Sequence, residues 1–323
     1  MGNSCNCDRG GAIEAPDINL SSEIANPLKK TLIPLTQNYE IPSFYSDILE
    51  TLPLMKNHKA DSQFIEDRFF YQLDRTRIYQ GTWTSEGMAS GFGTLLYLEK
   101  GLYQGNLVNA EPKGQGRFIS KNKEIYTGEF AGLNKLTGKM LDNEGTEVTG
   151  IFVDLYIEGE GTETWKNGTI YSGVYCKGVK CGKGKMTWLD GKNEPNEIYE
   201  GEFSNNMFNG YGVYDWSKKR KYSGEWKDGK MHGNGTFEWK DGRVYIGSFK
   251  EDLKEGFGEF KWNDGRIWKG DWMKGLKNGI GLNVESGGKE MVGEWKEDKR
   301  IRWLEGDEAK EALRKLKNVD LKK

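Results

Sequence analysis

At 323 residues the chain is long enough for one to three domains with a sizeable core. It carries 44 glycines against 7 prolines, about double the usual glycine share of roughly 7%, without the strict triplet of collagen. Formal net charge is -2, and acidic and basic side chains balance through the middle of the chain, so there is no basic stripe for counterion release and nucleic acid is not expected as a partner.

The chain opens MGNSCNC. With Met1 removed, Gly2 is the acceptor of an N-myristoylation signal, although the simple pattern asks for Ser or Thr at the sixth position, where this chain has Asn6. One myristoyl chain gives only marginal, reversible membrane binding, and Lys29 and Lys30 are too few to act as a polybasic second signal. Cys5 and Cys7, within reach of the same membrane surface, are therefore the expected palmitate acceptors. Residues 1–40 read as a flexible tail and 41–66 as a short helical neck, with PSFYSDILETLPLM broken by Pro53. No secretory h-region follows Met1, and no stretch reaches the ~18 apolar residues of a membrane span. The other two cysteines, Cys176 and Cys181, have poor spacing for zinc with only His58 and His232 in the chain, and read as free thiols in a reducing compartment.

From residue 67 to 304 the chain repeats itself. RFFYQL reads as a half-repeat capping strand, with Tyr71 and Leu73 in phase with Phe237 and Trp239 of a later unit. A frame of aromatic, any residue, glycine, any residue, aromatic then begins at Tyr79, Tyr103, Tyr126, Val148, Tyr171, Tyr199, Tyr222, Tyr245, Trp268 and Met291, at intervals of 22 to 28 and mostly 23 residues. In YSGEWKDGKMHGNGTFEWKDGR, Tyr222, Gly224 and Trp226 share one parity, and Gly235, Phe237 and Trp239 share one on the second run, with polar residues opposite. Asp-Gly pairs punctuate the runs, so each unit reads as a β-hairpin. Glycine inside a strand costs stability, so its recurrence implies that neighbouring rings lie over bare backbone. Tyr79, Trp83, Tyr103, Tyr126, Tyr171, Tyr199, Tyr222, Trp226, Trp239, Tyr245, Trp262, Trp268, Trp272 and Trp295 are the expected repeat core. Two units depart from the frame: the one at Tyr126 reads GKM where GxG is expected, and Val148 replaces the leading tyrosine of the next. The unit at Tyr171 is lengthened within DGKNEPNEI.

The YxGxW, GxG and DG marks at a 23-residue period resemble the MORN repeat (membrane occupation and recognition nexus). The resemblance implies an all-β fold, an elongated single-sheet solenoid of about ten hairpins. It also implies the roles such repeats take in other proteins, as scaffolds, membrane-associated linkers and ciliary or cytoskeletal components.

Residues 305–323 read as an amphipathic capping helix, with Ala309, Ala312, Leu313, Leu316 and Val319 at helical spacing and Asp307 as N-cap. A membrane helix or a dimerisation element is the alternative use of that face. The GxG runs do not form a phosphate loop, because each opens a strand at the repeat period and none precedes a helix. No catalytic constellation emerges from the sequence, so neither enzymatic activity nor a cofactor or metal is expected. The expected function is a scaffold or linker that binds protein partners through the array and is tethered to the cytoplasmic side of a plasma or ciliary membrane. A phospholipid-binding module is the alternative, as is a structural part of a cilium or the cytoskeleton, and homodimerisation is compatible with either.

Overall fold

The computed structural model describes residues 65–192 and 194–319, together with residues 32, 40–43, 45, 46 and 50. Gly2, Cys5, Cys7, His58 and most of the expected tail and neck lie outside the described residues.

Twenty-one strands, β1 to β21 in chain order, form one antiparallel sheet in which each strand pairs with the next. The half-repeat RFFYQL lies in β1 (Ile65–Gln72), which pairs with β2 (Arg77–Trp83), and Tyr71 and Leu73 join the core. The ten units after it are ten hairpins. In YSGEWKDGKMHGNGTFEW, β14 (Arg220–Lys227) turns at Asp228–Gly229 into β15 (Lys230–Trp239). Both turn residues have positive φ, 49° and 78°, the mirror-image turn whose twist matches that of the strands it joins. The connection to β16 (Val244–Lys250) is different: the Gly242 amide donates to the Trp239 carbonyl and only Gly242 is left-handed, so the first DG and the second DG serve two distinct turns.

A single row of glycines runs across the sheet. Gly212 pairs with Gly224, Gly224 with Gly235 and Gly235 with Gly247, and every strand from β2 to β20 contributes one glycine to that line. The leading tyrosines lie over it. The Tyr222 ring covers Gly224 and Gly235, and its hydroxyl donates to the Glu225 carbonyl at 2.8 Å. Tyr79, Tyr103, Tyr171, Tyr199 and Tyr245 repeat that bond to the carbonyl three residues on, which is why the frame starts with tyrosine: a buried ring there needs an acceptor for its hydroxyl. From Tyr171 onward each ring also meets two others edge-on, Tyr222 touching Trp226 of its own unit and Phe249 of the next, both at 5.1 Å. Tyr199, Tyr245 and Trp268 do the same with Trp226, Trp272 and Trp295. Stability therefore passes from hairpin to hairpin.

The two departures have structural causes. Other hairpins carry a bulge after the first turn, seen as a register shift between Gly224 and Trp226. β6 (Ile125–Ala131) and β7 (Lys135–Leu141) pair without one, so GKM is a unit that omits the bulge, with Gly138 still in the glycine row. Leu136 covers Gly128 there, and Tyr126 instead sends its hydroxyl to Glu124 and to the Leu155 carbonyl. Where Val148 replaces tyrosine, the Ile157 side chain occupies the space over Gly150 and Gly161.

The opposite face is closed at both ends. Tyr45 packs with Ile78, Leu96, Leu102 and Ile119 at the first units. Helix α1 (Gly306–Lys317) sets Leu316 against Leu282, Val292 and Leu304, so its apolar face is occupied by the sheet itself. Asp307 does not cap it. The N-cap is Glu305, without a side-chain cap bond, and Asp307 sits in the first turn, where its charge suits the helix dipole. Val319 lies past the end of the helix and is exposed. Arg302 docks the helix by bonding Glu294 and Glu308.

Cys176 and Cys181 are joined in a disulfide, which corrects the reading of two free thiols. They flank the turn at Lys177–Gly178 that links β10 (Ile170–Cys176) to β11 (Val179–Leu189), and the hairpin brings their Cα atoms to 5.9 Å, within disulfide reach. So short a loop is already closed by the hairpin, and the bond therefore removes little further chain entropy.

Candidate functional site: a tryptophan row and its lysines

The expected core residues divide into three columns. Tyr79, Tyr103, Tyr126, Tyr171, Tyr199, Tyr222, Tyr245 and Trp268 are buried over or beside the glycine row, and Trp83, Trp226, Trp272 and Trp295 are buried toward the hairpin turns. Trp239 and Trp262 differ: they are half-buried at the opposite margin of the ring face. Trp165, Trp188 and Trp216, which carry the same position in preceding units, are half-buried as well. Five successive repeats thus present a tryptophan in one line. The step of one hairpin, two strands, is about 9.6 Å.

Cations accompany the row. The guanidinium groups of Arg220, Arg243 and Arg266 sit 5.0, 5.3 and 5.3 Å from the rings of Trp216, Trp239 and Trp262. In each case the arginine stands four residues after its tryptophan, so the repeat places the pair automatically. Half-buried tryptophan with stacked arginine is the side-chain chemistry that dominates binding energy at protein interfaces.

A second line of side chains lies inside the row, at the strand position opposite the turn-side aromatic of each hairpin. It holds Ile157, Lys180, Phe208, Met231, Lys254 and Lys277 in consecutive units. The backbone there is stitched to the next hairpin: the carbonyls of Lys180, Met231 and Lys277 accept from Asn206, Asp252 and Asp298, whose side chains in turn accept the amides of the same three residues at 2.8 Å. At Lys254 the next turn has Gly275 instead, which accounts for the missing side-chain cover. A cavity of about 150 Å³ opens there, lined by Phe237, Trp239, Tyr245, Phe249, Lys254 and Gly275 among others.

Lys254 is a cation held among rings, 3.8 Å from the centre of Trp272, 5.0 Å from Phe260 and 5.5 Å from Tyr245. Burial pushes its ammonium down to about 8; Asp298 acts in the opposite sense, and Lys277 and Arg243 add to the fall. Burial also lowers Lys277, whose ammonium lies over Trp262 and Trp268. The unfolded chain therefore holds the Lys254 proton more tightly between about pH 8 and 10.5, so charged Lys254 opposes folding fully below pH 8 and less as pH rises through that window. The rings return part of this, about 0.5–2 kcal/mol, and partial exposure screens more. Lys254→Met is expected to raise stability by about 1 kcal/mol at neutral pH. Thermal midpoints measured against pH should show that gain fading toward pH 10.5.

Sequence reasoning singles out Trp239 and Trp262 but misses Trp165, Trp188, Trp216, Lys180, Lys254 and Lys277. A signal for the tryptophans is present, because every one of the five stands four places after the second glycine of its GxG. Among the described residues no three His, Cys, Asp or Glu side chains converge as a metal site requires. No helix among them is long and apolar enough to cross a membrane.

An open array of hairpins, each burying its rings only against its neighbours, defines a repeat protein whose functional element is a long surface. The chain belongs to the MORN repeat family, which it matches over residues 79–97, 103–124, 150–170, 171–192, 199–219, 222–242, 245–265 and 268–282. The unmatched hairpins are the bulge-free one after Tyr126 and the last, led by Met291. No curated protein matches the chain. Among solved structures it is similar to the TCP10 domain of Danio rerio CPAP in complex with a peptide of STIL, at 10% identity and TM-score 0.31 over 75% of this chain and 99% of that one. It is also similar to the Drosophila melanogaster SAS-4 TCP domain in complex with a proline-rich motif of Ana2, at 11% identity and TM-score 0.24 over 57% and 85%.

Proposed function

We propose that this protein is a non-enzymatic scaffold or linker, anchored by its acylated N-terminus to the cytoplasmic face of a membrane and engaging protein partners along the tryptophan row. The observation that carries the reading is that row: Trp165 to Trp262 keep large, amphipathic rings half-exposed in five consecutive repeats, although the leading tyrosines and the turn-side aromatics of the same face are buried. A solenoid made only to be a strut has no use for that asymmetry. MORN repeats supply the scaffold role. Gly2, Cys5 and Cys7 supply the anchor, because two acyl chains hold where one dissociates.

The test is intact-mass analysis of the N-terminus together with membrane fractionation of the wild type, Gly2→Ala and the Cys5→Ser, Cys7→Ser double variant. The expected result is an acylated wild type in the membrane fraction, a soluble Gly2→Ala and a double variant that partitions weakly. An unacylated wild type in the soluble fraction defeats the anchor. If Gly2→Ala loses its acyl group yet still sediments with phospholipid vesicles, the array itself contacts lipid and the phospholipid-module reading replaces this one.

A further inference from the structure

The chain contains its own comparison for the caged lysines. Lys180, Lys254 and Lys277 occupy the same position in three hairpins, each facing the aromatic that turns over it. Lys180 is buried over Trp165, Tyr171 and Tyr175, and its ammonium pairs at 2.6 Å with Glu163, which also accepts the Tyr175 hydroxyl at 3.0 Å. Glu163 stands where Phe237 and Phe260 stand in the units before Lys254 and Lys277. Lys277 keeps the Trp262 and Trp268 counterparts of Trp165 and Tyr171, and Lys254 keeps the Tyr245 counterpart and leans over Phe260 and Trp272, both without the acid. Neither ammonium has an ion pair or hydrogen-bond partner among the described residues. Asp252 and Asp298, the nearest acids of the turns, are engaged by the amides of Met231 and Lys277. A cation in an aromatic wall, beside an open cavity of about 150 Å³ that Asp252 also lines, has no carboxylate within ion-pair distance and offers one a place.

We infer that the ring face of the hairpins carrying Lys254 and Lys277 binds an acidic peptide, two of whose carboxylates complete the cages that Glu163 completes at Lys180. The backbone spacing is compatible with one register. Corresponding positions in adjacent hairpins are about 9.6 Å apart, and a polyproline II segment advances about 9.3 Å per three-residue turn, bringing residues i and i+3 to one side. A β-strand sends i and i+3 to opposite sides. The peptide that fits therefore runs across the strands in polyproline II form with an acid at every third residue, its apolar residues against Trp239 and Trp262 and in the cavity. Arg243 and Arg266, stacked on those tryptophans and each ion-paired at 2.8 Å with Asp241 and Asp264, extend the wall along its path without adding net charge.

This inference rests on the reading of the tryptophan row as a protein-binding surface, and its test can fail without that reading failing. The probe is the synthetic peptide (Glu-Pro-Pro)4, titrated into the full-length protein with tryptophan fluorescence as readout at low and at 0.5 M salt. Binding that weakens with salt is expected, together with a loss of at least about tenfold in the Lys254→Met, Lys277→Met double variant. (Gln-Pro-Pro)4 should bind at least tenfold more weakly than the acidic peptide, and the Lys254→Glu, Lys277→Glu variant should prefer (Lys-Pro-Pro)4. Far-UV circular dichroism of each variant establishes that it is folded. Equal binding of the Glu and Gln peptides, or binding of the Glu peptide that is indifferent to both lysines, overturns the inference. If Trp239→Ala then abolishes binding, the tryptophan row still stands as a peptide surface. Absence of binding to (Glu-Pro-Pro)4 also overturns the inference, as does capture of phosphatidylserine vesicles by Gly2→Ala that depends on Lys254 and Lys277 and excludes the peptide.

Discussion

Gly235→Ala is expected to destabilise the array by about 3 kcal/mol, although the change adds one methyl group to a backbone conformation that alanine can adopt. A Cβ on Gly235 falls inside the Tyr222 ring, and the ring has nowhere to go. Trp226 and Phe249 hold it edge-on from two sides, and its hydroxyl is held by the Glu225 carbonyl at 2.8 Å. Relief requires a tyrosine rotamer that breaks all three contacts or a separation of β14 from β15. Gly287→Ala is the control. Nothing lies within 4 Å of a Cβ there, so the substitution is expected to be neutral or to stabilise by up to about 1 kcal/mol through the unfolded chain. Because each hairpin contacts only its neighbours, damage at Gly235 should first appear locally. Hydrogen exchange should lose protection in β14 to β16 before the first units, and urea denaturation should shift its midpoint. Equal behaviour of the two variants would show that the glycine row is not a packing surface.

The features visible in the sequence are those that depend on neighbours along the chain. Strand parity, the glycine between two aromatics and the Asp-Gly turns are set within a few residues, so the hairpin and its ten copies can be read directly. Other features depend on position across the sheet. Trp226 and Trp239 are the same letter, yet one is buried against the Gly212 carbonyl, to which its indole donates, and the other lies at the margin. Their offsets from the nearest row glycine differ, two places against four, but which offset is exposed is decided by how far each lies from the glycine row across the sheet. The caged lysines are hidden for the same reason: Lys180 meets Glu163 across 17 residues, in a different hairpin. Cys176 and Cys181 show the limit from the other side, since spacing along the chain excludes zinc, whereas the hairpin turn makes them partners. GKM looks like wear when the frame is compared letter by letter; strand pairing shows a unit without a bulge that keeps its glycine in register.

Tyr222→Val should cost about 3 to 4 kcal/mol, and Met231→Ile should return part of it. Removing the ring leaves bare backbone at Gly224 and Gly235, strips the edge contacts from Trp226 and Phe249, and loses the bond to the Glu225 carbonyl. The repeat led by Val148 shows how the chain fills such a space. There Ile157, opposite Phe152, directs its Cδ1 over Gly150 and Gly161, and the Tyr175 ring of the following hairpin closes in from the side. Met231, opposite Trp226, holds the position of Ile157, and Phe249 holds the position of Tyr175. Met231→Ile alone, in the presence of Tyr222, is a nearly volume-conserving change with an expected cost under about 1.5 kcal/mol. In the double variant the isoleucine branch enters space the ring has vacated, so the two substitutions should couple favourably by about 1 to 2 kcal/mol. A double-mutant cycle in urea, followed by tryptophan fluorescence, measures this coupling. Strict additivity would mean that Val148 and Ile157 are independent neighbours. Coupling would mean that valine and isoleucine form a second, interchangeable way to cover the glycine row, and that the worn-looking repeat is as well packed as the others.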